Sequence, residues 1–573
     1  MLIRKVIFAV ASPLLLGGCE SVAARAPRAA PSVFAAGMVS AADPRAAEAG
    51  AAMLRAGGSA TDAAIATMLA LNVVEPQSSG IGGGGFYVES DARGHIETID
   101  GRETAPAAAN GRWFYRNGQP LRFGEVVPGG TSVGVPGNIA LAAKAHAEHG
   151  RLAWAALFAP AIRIARDGFA MTPRLHDALA RSAQTAGFDL AGRELFYAAD
   201  GQPLPVGTIV RDPALAVSLE AISRGGAKVF YSGTNAAKIA ARVRGAPRNP
   251  SPMTLADVTG YAARNRPPVC GEYRQYRICG MGPPTSGATT VYAILKQLER
   301  FDLTALGPDS PTAWHLITES MRLAYADRAR YLADPDYVRV PVAGLTDPAY
   351  LRRRSALIDP ARTLGVVTAG TPAGAPPLPR ADSAAAAEHG TSHFVVIDRA
   401  GNAVSYTSTI ESAFGSGLVV GGYYLNNELT DFDFVPEQDG RPVANRVEGG
   451  KRPRSSMAPT LVYAPDGKLR LALGAAGGTT IPAQVAKTII GVLDWHLTAQ
   501  QAIALPVLFA PAGQTVIVEP GTRLESMIPA LVALGHGDIR ARGMSLKTNA
   551  IEVIGGRLVG AADPRSEGRA VGE

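Results

Sequence analysis

The sequence predicts a mixed α/β (α+β) fold, and three observations predict it. Apolar residues recur at helical spacing in a series of segments between 43 and 333. A Pro/Ala-rich stretch at 366–388 then breaks the chain. Beyond it the texture changes to short runs rich in β-branched residues, bounded by turn residues. The 573 residues are 47% hydrophobic and 18% charged, which excludes a wholly disordered chain, and three cysteines exclude a disulfide scaffold. The net charge of +7 is spread without a dense Lys/Arg tract, so no nucleic-acid partner is expected.

The elements follow in order. Arg4 and Lys5 precede an apolar run from Val6 to Leu16, too short to span a bilayer and fit for a secretory signal over 1–18. Leu16-Gly17-Gly18-Cys19 is similar to a bacterial lipoprotein signal, with Cys19 the lipidated residue; a plain signal cut near Ala23-Ala24 is the alternative. Residues 19–36 read as an Ala/Pro-rich tether. No other stretch reaches the ~18 apolar residues of a membrane span, so membrane contact is expected only through the lipid. Asp43-Pro44 starts a helix that Gly57-Gly58 ends, and Ser59–Asp62 starts a second. A glycine-rich stretch, 78–85, precedes the strand Phe86–Ser90. Helical patterns return at 138–168, 212–224, 234–244, 288–302 and 311–333. After the linker, strands are expected at 392–399, 403–409, 459–464 and 468–474. Cys270 and Cys279 flank an alternating segment with a tight bend and are disulfide candidates; two buried thiols are the alternative.

Two motifs lack the context their chemistry needs. Gly80–Gly85 fits G-x-G-x-x-G, but a helix precedes it and a strand follows, the reverse of a dinucleotide fingerprint. Glycines that admit a close backbone are the better reading. Gly130-Thr131-Ser132-Val133-Gly134 fits G-x-S-x-G but lies within a loop. The histidines form no metal-binding pattern, so no metal is expected.

The chemistry concentrates after the linker. Thr391 opens a strand directly after Gly390. Cleavage of the Gly390–Thr391 bond would give Thr391 a free α-amine, a base of pKa near 8 for its own hydroxyl. A three-residue loop at Arg399–Gly401 places Thr391 opposite Thr409. A second turn, Pro465-Asp466-Gly467, places Ser455 opposite Gly477. Ser455 and Ser456 are then candidates for a carboxylate, and Gly477 and Gly478 for an oxyanion hole. Glu428 and Asp431 are candidates for a cationic amine.

These residues resemble those of the γ-glutamyltranspeptidases, N-terminal-nucleophile hydrolases that cut themselves into two subunits. The resemblance runs from Gly37 to Arg565 and rests on Val74–Gly85, Gly134-Val135-Pro136-Gly137, Thr391-Ser392-His393, Lys451–Met457 and Ala562-Asp563-Pro564-Arg565. It implies a four-layer αββα sandwich, with a large subunit at 37–390, ending in a flexible linker at 366–390, and a small catalytic subunit at 391–573. It implies that Thr391 is processing group and nucleophile, that Thr409 hydrogen-bonds it, and that Gly477 and Gly478 hold the oxyanion. Arg102, with Ser455 and Ser456, would bind a glutamyl α-carboxylate; Glu428 and Asp431 would bind the α-amine. The expected substrate is a small γ-glutamyl donor such as glutathione, passed to water, an amino acid or a peptide, with a periplasmic location.

The chain also departs from the family. Glu411 stands where glutathione-active members have Asn, which marks either stronger amine binding or a changed substrate. The segment from Asp431 to Lys451, the family's lid region, is short, so hydrolysis is expected to dominate over transfer. Thr480 has no assigned role. The alternatives are a cephalosporin-acylase-like amidase of the same fold and an unprocessed, non-catalytic envelope binding protein.

Overall fold

The computed structural model describes residues 33–34, 36–377, 380–383 and 390–573. The leader, Cys19 and most of the tether lie outside the described residues. The strands that position the site are β1 (Val33–Phe34), β2 (Met38–Ala41), β3 (Gly84–Ser90), β4 (Ile96–Gly101), β5 (Arg264–Asn265), β6 (Val269–Tyr273) and β7 (Tyr276–Gly280). They continue as β8 (Gly390–Ile397), β9 (Ala403–Glu411), β10 (Thr460–Tyr463), β11 (Leu469–Ala476), β12 (Lys547–Ile554), β13 (Arg557–Ala562) and β14 (Arg569–Gly572). The helices that matter here are α1 (Pro44–Arg55), α2 (Ala60–Val74), α3 (Asn138–His149), α4 (Pro173–Arg181), α5 (Gly287–Leu298), α6 (Pro311–Tyr331), α7 (Ile481–Leu493) and α8 (Ala499–Ala504).

Among the described residues these strands form two seven-stranded sheets, ordered β1-β13-β12-β11-β10-β7-β6 and β14-β2-β8-β9-β3-β4-β5. The second sheet's centre, β2-β8-β9-β3, is antiparallel throughout. Side-chain alternation shows that both faces are covered. Phe394 and Val396 of β8 pack with α1 and α2, whereas Val395 and Ile397 pack with Leu471 and Leu473 of the facing sheet. Helices α5, α7 and α8 cover the far face of the first sheet. The result is the αββα sandwich, and cover on both faces buries the central strands β8 and β9 along their whole length.

Local signals act as expected. Asp43 caps α1, its carboxylate accepting from the Arg45 amide at 2.8 Å, with Pro44 at the first position. Ser59 and Asp62 form a reciprocal capping box on α2, which is buried along its whole length. Cys270 and Cys279 are directly paired on β6 and β7 and disulfide-bonded.

Two expectations need correction. Val33 and Phe34 pair with Val559 and Leu558, so the tether does not extend to residue 36. The described part of the 366–390 linker is held to the body. Gly370 receives a hydrogen bond from Tyr331 at 2.7 Å and donates one to Asp327 at 2.8 Å, both on α6.

Candidate active site

Strand β8 pairs with β9 so that Thr391 faces Thr409, the register set by the short loop between them; the register shifts between Gly390 and Thr391. The two hydroxyls are 3.2 Å apart, and each lies 2.7 Å from the Gly390 carbonyl oxygen. The Glu411 amide donates to Thr409 Oγ1 at 2.8 Å, which leaves the Thr409 proton for Gly390. The glycine-rich stretch supports this strand: a Cβ on Gly83 would lie 2.0 Å from the Thr409 carbonyl oxygen. That close contact is why a run of glycines is needed there.

The facing sheet brings Gly477 and Gly478 to the same end. Asn549 donates to the His393 carbonyl at 3.0 Å, and Lys547 reaches Ser392 at 3.4 Å. Asn549 pairs with Gly474, and Lys547 with Ala476, so β11 runs toward Gly477 as β8 runs back toward Thr391. The imidazole of His393 lies over Gly474, where a Cβ would meet it at 2.3 Å, and burial pulls its pKa down to about 3. It is a neutral spacer between the sheets. Gly477 and Gly478 adopt φ of 131° and 62°, a turn that L-residues with side chains resist. Thr480 Oγ1 donates to the Gly477 carbonyl at 2.8 Å and accepts from Gln484 at 3.0 Å. Thr480 therefore braces the diglycine turn.

A second cluster surrounds Arg102. Its guanidinium pairs with both Glu428 and Asp431, and also donates to the carbonyls of Pro453 and Arg454 at 3.1 Å each. Sequence reasoning set Arg102 and the two acids on opposite sides of a zwitterion; here they contact one another directly. All three are buried. Burial raises the Glu428 carboxyl well above its usual range against the pull of Arg102, with Glu103, Asp431 and Glu411 adding to the rise. Asp431 is raised by burial too, and Glu103 is pushed up to about 7. Glu411 accepts from Ser412 and Asn427, and its backbone has φ of 75°.

Ser455 is not opposite Gly477. A bulge between Val462 and Tyr463 shifts the register, and β10 begins only at Thr460, so Ser455 has left the ladder. Its amide donates to the Pro284 carbonyl at 3.2 Å, and it bridges Thr285. Ser456 Oγ accepts from Arg328 at 2.6 Å. Both serines still follow the Pro453-Arg454 carbonyls that hold Arg102, so the segment joins the cluster by another route.

Sequence reasoning missed Asn426 as a tie. Its amide donates to the carbonyls of Gly82 at 2.8 Å and Gly134 at 2.9 Å, while its oxygen accepts from the Glu428 amide at 3.0 Å. One side chain thus fastens two glycine motifs to the acid pair. The segment after Asp431 forms an exposed hairpin, Glu437–Gln438 against Arg441–Pro442. Away from this site, buried His315, Glu319 and His536 cluster, but the two imidazoles hydrogen-bond at 2.8 Å and Glu319 pairs with Arg322.

Comparisons with known proteins agree with this geometry. A family model described as gamma-glutamyltranspeptidase matches residues 46–573. The glutathione hydrolase proenzyme of Bacillus subtilis strain 168 is 35% identical over 551 residues, 94% of this chain and 91% of that protein. The glutathione hydrolase proenzyme of Escherichia coli K12 is 33% identical, covering 96% of each. The crystal structure of cephalosporin acylase from Bacillus halodurans superposes with a TM-score of 0.83 at 27% identity, over 99% of each chain. With this match across its length, and with Thr391, Thr409 and the diglycine turn gathered at one end of an αββα sandwich, the chain belongs to the γ-glutamyltranspeptidase family.

Proposed function

We propose that this chain is a self-processing γ-glutamyl hydrolase and transferase acting on glutathione and related γ-glutamyl amides. The observation that carries the reading is the pair of threonine hydroxyls at the Gly390 carbonyl. Thr409 polarises that carbonyl, and Thr391 Oγ1 attacks its carbon. The Gly390–Thr391 C–N bond breaks, an ester forms, and water hydrolyses it to a Gly390 carboxylate and a free Thr391 α-amine. That amine then serves as base.

In turnover Thr391 Oγ1 attacks the γ-amide carbonyl and passes its proton to the α-amine. The Gly477 and Gly478 amides stabilise the oxyanion. The C–N bond breaks, the leaving amine takes the proton, and a γ-glutamyl ester stays on Thr391. Water gives glutamate; an amino acid or peptide amine gives a new γ-glutamyl amide. Binding of the glutamyl head requires the Arg102 cluster to open, with Arg102, Ser455 and Ser456 turning to the carboxylate and Glu428 and Asp431 to the α-amine. Exchanging the internal pairs of Arg102 with Glu428 and Asp431 for pairs with the ligand keeps the buried charges matched. The chemistry calls for neither metal nor organic cofactor.

The subunits are 37–390 and 391–573. The leader supports export to the periplasm with a lipid on Cys19, and among the described residues no helix is long and apolar enough to cross a membrane. Glu411 and the likeness to a cephalosporin acylase favour a second reading, an amidase for donors without an α-amine.

Denaturing mass spectrometry beside donor assays tests the reading. Two fragments, the smaller starting at Thr391, and turnover of a γ-glutamyl amide are expected. Turnover of a glutaryl amide in preference to the γ-glutamyl one would give the second reading; an uncut, folded chain would overturn both.

A further inference from the structure

A cavity of about 860 Å³ is walled by residues that contact Gly390 and Gly477. Ser412 lines it, and a Cβ on Gly390 would meet the Ser412 carbonyl at 2.8 Å. Ser545 lines it too, and its carbonyl oxygen would lie 2.1 Å from a Cβ on Gly477. None of Arg102, Glu428, Asp431, Ser455 or Ser456 lines the cavity. A substrate with its head in the Arg102 cluster and its scissile carbonyl between Thr391 and Gly477 would therefore extend its amine half into this space.

The charge of the cavity is the reverse of the charge around Arg102. Three arginines and no acid line it. Arg565 is neutralised by Glu519 and Asp563. Arg174 sits 3.8 Å from Glu75, a carboxylate that Lys547 holds more closely at 2.9 Å. Arg181 makes no ion pair among the described residues. Arg174, Ala178 and Arg181 fall on one face of α4, two turns from end to end, so both guanidinium groups border the same wall.

Building on the γ-glutamyl reading, we infer that this cavity receives the amine half of the donor, and that Arg181, with Arg174, selects amine halves carrying a carboxylate or a similar anion. The volume lies within the range that encloses a whole ligand, so a peptide longer than a dipeptide fits the class.

The test compares γ-glutamyl-para-nitroanilide with the same anilide bearing a ring carboxylate, on the processed enzyme. The readout is the ratio of the two kcat/KM values. Wild type should favour the carboxylated donor, and Arg181→Ala should lower the ratio about three- to tenfold. Arg181→Lys should keep most of the preference, Arg181→Glu should invert it, and added salt should shrink it. A ratio that none of these substitutions moves overturns the proposal while leaving the γ-glutamyl reading intact. A processed enzyme that cleaves neither donor overturns both.

Discussion

The ammonium of Lys547 lies 2.9 Å from the carboxylate of Glu75, at the end of α2, and both are buried. Ser392, next to the nucleophile, donates to the same carboxylate at 2.6 Å. Burial pulls Lys547 down to about 8 against the opposing pull of Glu75. The Glu75 carboxyl, which burial alone would raise, is held below its usual value by Lys547 and Arg174. The pair joins the two sides of the Gly390–Thr391 bond. Lys547→Met should cost about 3–5 kcal/mol by stranding Glu75, and the double variant with Glu75→Gln should recover much of it. Denaturant unfolding of the processed enzyme measures both.

Thr391→Ala should remain one chain under denaturing mass spectrometry after prolonged incubation. Thr409→Val keeps the shape but loses the donor to Gly390. It should slow both processing and turnover about 10- to 100-fold, the cost of one oriented hydrogen bond in a buried site.

Gly477→Ala places a methyl 2.1 Å from the Ser545 oxygen at a φ of 131°. The diglycine turn must shift, and kcat should fall about 10²- to 10³-fold, as when an oxyanion donor is lost. Thr480→Ala removes only the brace and should lose less. Steady-state kinetics on a γ-glutamyl anilide ranks the two.

Glu411 is among the groups that raise the Glu428 carboxyl. On the proposed reading Glu428 must be ionised to bind an α-amine, so kcat/KM should fall as pH drops through its pKa. Removing the Glu411 charge lowers that pKa and extends ionisation to more acidic solution. Glu411→Gln should therefore move the acid limb of the kcat/KM profile to lower pH. An unmoved limb would show that Glu411 does not act on amine binding.

Short-range chemistry explains what was legible in the sequence. The caps of α1 and α2, the facing of Thr391 and Thr409, and the Cys270–Cys279 pairing each depend on a few consecutive residues or one tight loop. The second hairpin shifts register at a single bulge that nothing in Pro465-Asp466-Gly467 announces, and its strand stops at Thr460, short of Ser455. The Arg102–Glu428 contact and the Lys547–Glu75 pair were illegible for another reason. They span 326 and 472 positions, so they exist only once segments far apart in the chain have folded together.

The second sheet has a consequence for assembly. Strand β2, near the start of the chain, is hydrogen-bonded between β8 and β14, while β9 is hydrogen-bonded to β3. Segments made before and after the scission point are thus interleaved in one sheet. Neither piece owns a complete sheet, so two fragments synthesised apart would each present raw edges and precipitate rather than dock. The Gly390 carbonyl also meets the Thr409 hydroxyl that polarises it only after β8 and β9 have paired. Scission then works as a receipt for completed folding, issued once and never reversed.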